Sequence, residues 1–112
     1  MPLLEISTNT KIDNTLNLAE QASKLTADIL GKPESYVMVR IQPEQALIFA
    51  GSNAPAAHVK LKSLGLPESN TAGFSEKLCS FISSTLNIDN SRIYIEFASP
   101  ERHMWGWNKK TF

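Results

Sequence analysis

The sequence repeats one pattern of apolar residues, and this repeat limits the folds open to the chain more than any other feature. Each half contains segments in which apolar and polar residues alternate, as in a β-strand. Each half also has a longer segment with apolar residues three or four positions apart, as in an α-helix. A shift of 56 positions brings Val37 onto Ile93 and Val39 onto Ile95, a match in pattern more than in identity. The sequence therefore predicts two strand–helix–strand units.

The helix of the first unit is predicted from about Asp13 to Leu30. Asp13 or Asn14 can cap its start, because an oxygen-bearing side chain accepts a free backbone N–H there. Gly31 can adopt the left-handed conformation that ends many helices, and Pro33 prevents continuation. The apolar stripes of the two helices comprise Leu18, Ala22, Leu25 and Ile29 in the first unit and Phe74, Leu78, Ile82 and Leu86 in the second.

Alternating residues predict four main strands, at about 3–6, 37–41, 57–61 and 93–97. The apolar run Ala46–Ala50 favours a fifth, shorter edge strand. Each helix is long enough to cross a sheet face, so the strands that flank it should be parallel and joined by a right-handed crossover. We therefore expect an α/β (α+β) fold, in which two β-α-β pseudo-repeats form a four-stranded mixed sheet with both helices on one face.

The opposite face of that sheet combines charged, polar and apolar side chains. Its predicted members are Met38, Arg40, His58, Lys60, Lys62, Tyr94 and Glu96. Such a face is solvated in a monomer and turns inward in an oligomer. The chain also ends in a dense aromatic segment with Trp105, Trp107 and Phe112, which is typical of a partner surface. The simplest partner is a second copy of the same chain.

Composition narrows the function classes. The chain has 112 residues, of which 42% are hydrophobic and 20% charged, as expected for a single globular domain over residues 1–112. Eleven basic and eleven acidic residues cancel, so we expect neither nucleic acid nor a membrane as a partner. No apolar segment reaches membrane-spanning length and no signal-peptide pattern occurs, which favours a cytoplasmic protein.

The residues that usually hold metals and cofactors are sparse. Cys79 is the lone cysteine, which excludes an intramolecular disulfide and a cysteine-based metal cluster. Neither His58 nor His103 has a further ligand at metal-binding spacing. Nucleotide-binding glycine motifs are missing as well. We therefore expect no metal and no cofactor.

Several short motifs together resemble those of one protein family. They are Pro2 directly after the initiator Met, Gly31-Lys32-Pro33, Ser63-Leu64-Gly65, Leu78-Cys79, Arg92-Ile93-Tyr94-Ile95, Gly106-Trp107-Asn108 and Thr111-Phe112. In these motifs the chain resembles the macrophage migration inhibitory factor (MIF) family of the tautomerase superfamily, over essentially its whole length. The resemblance implies a homotrimer with active sites at the subunit interfaces. It also implies keto–enol tautomerase activity on phenylpyruvate-type α-keto acids, and on dopachrome.

The resemblance also implies roles for individual residues. Pro2 is the implied catalytic base, because its nitrogen is a secondary amine once Met1 is removed. Lys32 is implied to pair with the substrate carboxylate, together with the backbone N–H of Leu64. Tyr94 is implied to line the pocket of the neighbouring subunit. Further wall residues, with weaker indications than these, are Tyr36, Met38, Trp105, Trp107 and Phe112.

The residues alone leave plainer interpretations open. Pro2 can simply begin an edge strand, where a missing donor does no harm. Lys32 can be a solvated lysine at the end of a helix, where a cation is favourable. Tyr94 can be an ordinary residue of an amphipathic strand.

The sequence also departs from the family pattern. Glu96 stands where many members carry Asn, and a carboxylate in the pocket adds negative charge and a desolvation cost. We therefore expect a weaker preference for para-hydroxylated substrates. Trp105 replaces a smaller aliphatic residue and narrows the pocket mouth. The family's CxxC motif is missing at residues 56–59, so no thiol–disulfide activity is expected.

Two other functions compete with the enzyme. The first is a MIF-like cytokine or binding protein with a vestigial tautomerase pocket, since family members can leave cells without a signal peptide. The second is a ferredoxin-like module that binds a ligand or RNA. It ranks last, because RNA binding needs more exposed strand aromatics and more basic loops than this chain has.

Overall fold

A computed structural model, which describes all 112 residues, shows the two repeated units directly. The first unit consists of β1 (Leu3–Thr8), α1 (Thr15–Leu30) and β2 (Met38–Gln42), and the second of β3 (Ala57–Lys62), α2 (Thr71–Leu86) and β4 (Ile93–Ala98). A shift of 56 positions places the bounds of α1 on those of α2. The same shift places the short 3-10 turn Glu34–Tyr36 on its counterpart Asn90–Arg92. The predicted pseudo-repeat is confirmed.

The four main strands form one mixed sheet in the order β2-β1-β3-β4. β1 runs parallel to β2, and β3 runs parallel to β4, so each helix connects a parallel pair as predicted. The two units meet where β1 pairs antiparallel with β3 along six residues. No helix in the chain is both long and apolar enough to cross a membrane.

The local signals at the ends of α1 are those the sequence predicted. The Asn14 side chain accepts a hydrogen bond from the Asn17 N–H at 3.0 Å. Gly31 ends the helix with a φ of 62°. Its N–H donates to the carbonyls of Ala27 and Asp28, which places Lys32 immediately after a fixed turn.

Both helices pack on the same face of the sheet. Alternate residues of the two central strands supply the sheet side of the core, which contains Leu4, Ile6, Val59 and Leu61. Helix residues such as Ala22 and Leu78 complete it. Burial of these side chains is the main source of stability for the fold.

The other face of the sheet is open, and its residues lie in three rows across the strands. In the order of the strands, the rows are Met38, Leu3, Lys62 and Ala98; Arg40, Glu5, Lys60 and Glu96; and Gln42, Ser7, His58 and Tyr94. Met38 is 66% exposed and Tyr94 is 65% exposed. The predicted composition of this face is therefore confirmed, and the face is uncovered in the single chain.

The predicted edge strand at Ala46–Ala50 is wrong. This segment is a loop with one isolated bridge between Phe49 and Ser52. The Arg92 guanidinium donates to the carbonyl of Phe49 in this segment, and to those of Ser52, Ala54 and Pro55 in the loop that continues to β3. Side chains therefore satisfy backbone groups that a neighbouring strand would otherwise have to pair.

The C-terminal segment folds back as a small hairpin of β5 (Gly106–Trp107) and β6 (Lys110–Thr111). Its two turn residues, Asn108 and Lys109, have φ values of 52° and 67°, as in the type I′ turns that match strand twist. The rings of Trp107 and Phe112 stack with centroids 6.1 Å apart. This stacking holds the aromatic end of the chain in one place.

A substitution at Ala50 tests the described backbone conformation of the turn at Ala50 and Gly51. Ala50 has a φ of 51°, a left-handed conformation that costs an alanine more than a glycine. Ala50→Gly should therefore raise the free energy of unfolding by roughly 0.5–1 kcal/mol. Ala19→Gly, the same change inside α1, should lower it by about 1 kcal/mol. Urea denaturation measures both, and a loss of stability in Ala50→Gly would contradict the described turn.

Candidate functional site

Pro2 lies at one end of the sheet, directly before β1. Its side chain is fully buried, and its carbonyl accepts a hydrogen bond from the Met38 N–H at 3.0 Å. A proline is tolerated here because the first position of a strand does not need its missing N–H. The strand pairing therefore holds Pro2 in a fixed position between the sheet and the C-terminal hairpin.

Two cavities adjoin this end of the sheet. The first, here called the Lys62 cavity, has a volume of about 440 Å³ and is lined by Pro2, Met38, Lys62, Met104 and Trp105, among others. The second, the Lys32 cavity, has a volume of about 390 Å³, and its lining includes Lys32, Leu64, Arg102 and Phe112. Met1, Tyr36 and Trp107 line both. Cavities of this size suit a small organic ligand.

Lys32 is positioned by neutral groups. Its Nζ donates to the Ser63 Oγ at 2.9 Å and to the Leu64 carbonyl at 2.7 Å. No carboxylate forms an ion pair with it. Partial burial lowers the pKa of Lys32, because desolvation penalises the charged form. The ammonium group is therefore oriented and still available to an anion.

The backbone of Leu64 offers a second donor beside Lys32. Leu64 lies just after β3 with its side chain buried. Its N–H donates no hydrogen bond within the chain. A free N–H next to an ammonium group is suited to bind a carboxylate, since both groups donate hydrogen bonds to an anion.

The electrostatic character of both cavities is positive. Lys32, Lys62 and Arg102 contribute to their linings, and no aspartate or glutamate does. The pKa of the Met1 amino group is lowered, first by burial and then by the charges of Lys32 and Arg102. An amine at this place is therefore biased toward its neutral form.

The structure brings together five of the residues that the sequence analysis singled out. They are Pro2, Lys32, Tyr36, Leu64 and Trp105. The remaining wall candidates Met38, Trp107 and Phe112 line the same two cavities. Tyr36 and Trp107 are about half exposed, so their rings can contact a ligand.

Tyr94 and Glu96 are not part of this group within one chain. Both lie on β4, separated from β1 by β3. Tyr94 shares a row with Ser7, which is five residues from Pro2, or roughly 16 Å along a strand. Its ring packs against Phe49 with centroids 4.6 Å apart, and the Glu96 carboxylate contacts the His58 ring.

Two cationic residues that line the cavities, Lys62 and Arg102, were not predicted as site residues. Lys62 was placed only on the open sheet face, because its position next to the N terminus depends on the pairing of β1 with β3. Arg102 lies in a 3-10 turn, Arg102–Met104, that follows β4. No local pattern in the sequence indicates that this turn returns to Met1.

Comparison with known proteins gives one consistent family. A family model described as macrophage migration inhibitory factor (MIF) matches residues 1–112. The chain is 39% identical over 116 residues to a macrophage migration inhibitory factor homolog of Brugia malayi, with 100% of this chain and 99% of that protein covered. The structure of macrophage migration inhibitory factor from Trichinella spiralis has a TM-score of 0.93 and 37% identity, covering 98% of this chain and 99% of that one. A homologue from Prochlorococcus marinus has the same TM-score and identity, with 98% of each chain covered.

The ionisation of Lys32 tests the described site. We expect its Nζ to titrate below an exposed lysine, because burial disfavours the ammonium form. Ser63→Ala should lower the pKa further, since the Ser63 hydroxyl accepts a hydrogen bond from the charged group. Between the lowered pKa of Lys32 in the folded protein and its ordinary pKa in the unfolded chain, the unfolded chain binds more protons. The free energy of unfolding should therefore rise with pH across that interval. Carbon-13 NMR of the Lys32 side chain measures the titration, and the same midpoint in the folded and in the urea-unfolded protein would contradict the prediction.

Proposed function

Because the chain belongs to the macrophage migration inhibitory factor family, we propose that it is a cofactor-independent keto–enol tautomerase of phenylpyruvate-type α-keto acids. Family membership supports an activity of the tautomerase type. The observation that carries the finer proposal is the position of Pro2, which lines one positive cavity and directly follows Met1, a residue that lines both. The second cavity holds Lys32 and Leu64, whose N–H is free. Dopachrome is proposed as a second substrate of the same site.

Proton transfer by Pro2 is the central step of the proposed mechanism. When Met1 is removed, the Pro2 nitrogen becomes a secondary amine. Its lone pair takes a proton from C3 of the keto acid, and the electrons of the C–H bond form the C2–C3 double bond of the enol. The carbonyl π electrons move to the oxygen, which takes the same proton back from Pro2, so that Pro2 acts first as base and then as acid and ends as the neutral amine. No atom is gained or lost, so no cofactor is required.

The surroundings of Pro2 support its role as a base. A base must be neutral at the working pH, and two influences favour the neutral amine. Burial disfavours the charged form, and the nearby charges of Lys32 and Arg102 repel a further positive charge. These same influences lower the pKa of the Met1 amino group, which occupies the adjacent position.

The substrate carboxylate is proposed to bind Lys32 and the Leu64 N–H. Lys32 is already oriented by Ser63 and by the Leu64 carbonyl, so little side-chain freedom is lost on binding. Tyr36 and Trp107, which line both cavities, offer faces for the aromatic ring. The ligand would then lie across Pro2 with its reacting carbon near the nitrogen.

We further propose a homotrimer in which Tyr94 and Glu96 reach the site of a neighbouring subunit. Within its own chain Tyr94 is 65% exposed and far from Pro2. The uncovered sheet face and the exposed side chains of Met104 and Trp107 supply apolar area for such a contact. An active site shared between subunits would explain why one chain holds only part of the predicted set.

Replacement of the Pro2 secondary amine by the unconstrained primary amine of glycine tests the mechanism. Pro2→Gly should lower kcat for phenylpyruvate by about 10²–10⁴-fold, the usual contribution of a positioned acid–base group. The assay requires protein whose mass shows that Met1 is absent. Pro67→Gly, in an exposed loop before α2, is the matched control and should keep normal turnover. Wild-type turnover by Pro2→Gly would end the proposal.

Mixed trimers test the shared site. Pro2→Gly and Tyr94→Ala chains should each be weakly active alone. When they are unfolded together and refolded in equal amounts, about one site in four combines an intact Pro2 with an intact Tyr94 from the neighbour. Activity should recover to that fraction of the wild-type value. No recovery in folded, mixed trimers would show that Tyr94 does not act on a neighbouring subunit.

A further inference from the structure

We propose that the site selects substrates with a second anionic group, and that Lys62 beside Trp105 forms the subsite for it. The inference rests on the proposed tautomerase function and specifies its substrate class. That class is an α-keto acid with a carboxylate, or a comparable anion, at the end of the molecule remote from the keto acid. Several positive charges near Pro2 have no ion-pair partner in the chain.

Lys62 has no counter-ion in the chain. Opposite charges on residues that face each other across neighbouring strands stabilise a sheet. The residues opposite Lys62 are Leu3 and Ala98, which carry no charge. The next row differs, because there Lys60 lies between Glu5 and Glu96. Lys62 therefore contributes a positive charge that its own sheet does not balance.

The carboxylates that could reach this region are already engaged elsewhere. Glu5 pairs with Arg40 at 3.1 Å, and Glu96 contacts His58. Glu101 pairs with His103 at 3.4 Å. The chain as a whole has no net charge, so the absence of aspartate and glutamate from the linings of the two cavities is a local property of the site.

Trp105 defines where the Lys62 charge lies. The Lys62 Nζ is 6.0 Å from the centroid of the Trp105 ring, within the range of a cation–π contact. Both residues line the Lys62 cavity together with Pro2. An indole face leaves the ammonium hydrogens free for a stronger acceptor, so the pair combines an apolar wall with an unsatisfied cation.

The two cations lie in different cavities that meet at the N terminus. Lys32 lines one cavity and Lys62 the other, whereas Met1, Tyr36 and Trp107 line both. Loss of Met1 removes a side chain from the boundary between the two cavities and exposes the nitrogen of Pro2, which lines the Lys62 cavity. A flat substrate whose keto acid binds Lys32 and the Leu64 N–H can therefore extend past Pro2 toward Lys62. A neutral distal end would leave Lys62 unpaired, whereas an anionic end would satisfy it.

A matched pair of substrates tests the inference. They are phenylpyruvate and 4-carboxyphenylpyruvate, which differ by one ring carboxylate. The kcat/KM of Met1-free protein should be higher for the diacid by about tenfold, the scale of one charge-assisted hydrogen bond. Lys62→Met should remove that advantage, and added salt should reduce it. Lys77→Met, which removes the same charge from an exposed position of α2, should retain the advantage of the diacid.

Equilibrium binding separates this inference from the tautomerase proposal. Terephthalate should bind more tightly than benzoate in calorimetry, and Lys62→Met should remove the difference. If neither keto acid is turned over but this binding difference is found, the tautomerase proposal fails and the anion subsite is supported. If phenylpyruvate is turned over and the diacid has no advantage, the inference is overturned.

A Glu96→Gln variant completes the test, because a neighbouring subunit could deliver its carboxylate to Lys62. The inference predicts that the wild type prefers the diacid and that Glu96→Gln keeps or increases the preference, because it removes a negative charge proposed to reach the site. If the wild type shows no preference and Glu96→Gln creates one, Lys62 is the counter-ion of that carboxylate and the inference is overturned.

Discussion

The antiparallel pairing of β1 with β3 is the constraint on which the rest of the structure depends. It joins two β-α-β units that would each have an unpaired strand edge, and it places the alternating residues of both strands in one core. The same pairing fixes the surroundings of the N terminus, because Leu3 lies opposite Lys62. A shift of one residue would turn every side chain of the strand to the other face. Pro2 and the cations near it are therefore positioned by the packing of the core.

The electrostatics of the site serve two purposes at once. In the proposed mechanism Lys32 and Arg102 provide charge for binding an anion. The same charge disfavours protonation of an amine at the N terminus. The arrangement has a cost in stability, since burial lowers the pKa of Lys32 and part of its hydration is lost. Ser63 and the Leu64 carbonyl offset that loss by accepting its hydrogen bonds.

Most of the fold, but less of the site, could be predicted from the sequence. The periodicity of α1 and α2 and the alternation of the four strands are local signals, so both helices and the parallel pairs were predicted. The loop at Ala46–Ala50 was wrongly predicted as a strand. An apolar run does not show whether its backbone groups bind a neighbouring strand or a side chain, as the Phe49 carbonyl binds Arg92. Pro2, Lys32 and Leu64 were found through family motifs, whereas Lys62 and Arg102 depend on contacts between distant parts of the chain.

The central claim is that a neutral Pro2 amine, held beside unpaired cations, is the base of a tautomerase. The pH dependence of kcat/KM for phenylpyruvate tests it most directly, with protein whose mass confirms the loss of Met1. Since only the deprotonated amine can accept a proton, kcat/KM should rise with pH through one ionisation. Its midpoint should lie clearly below roughly 8, the range of an exposed terminal amine. An ionisation at or above that range, or no turnover by folded protein, would contradict the account.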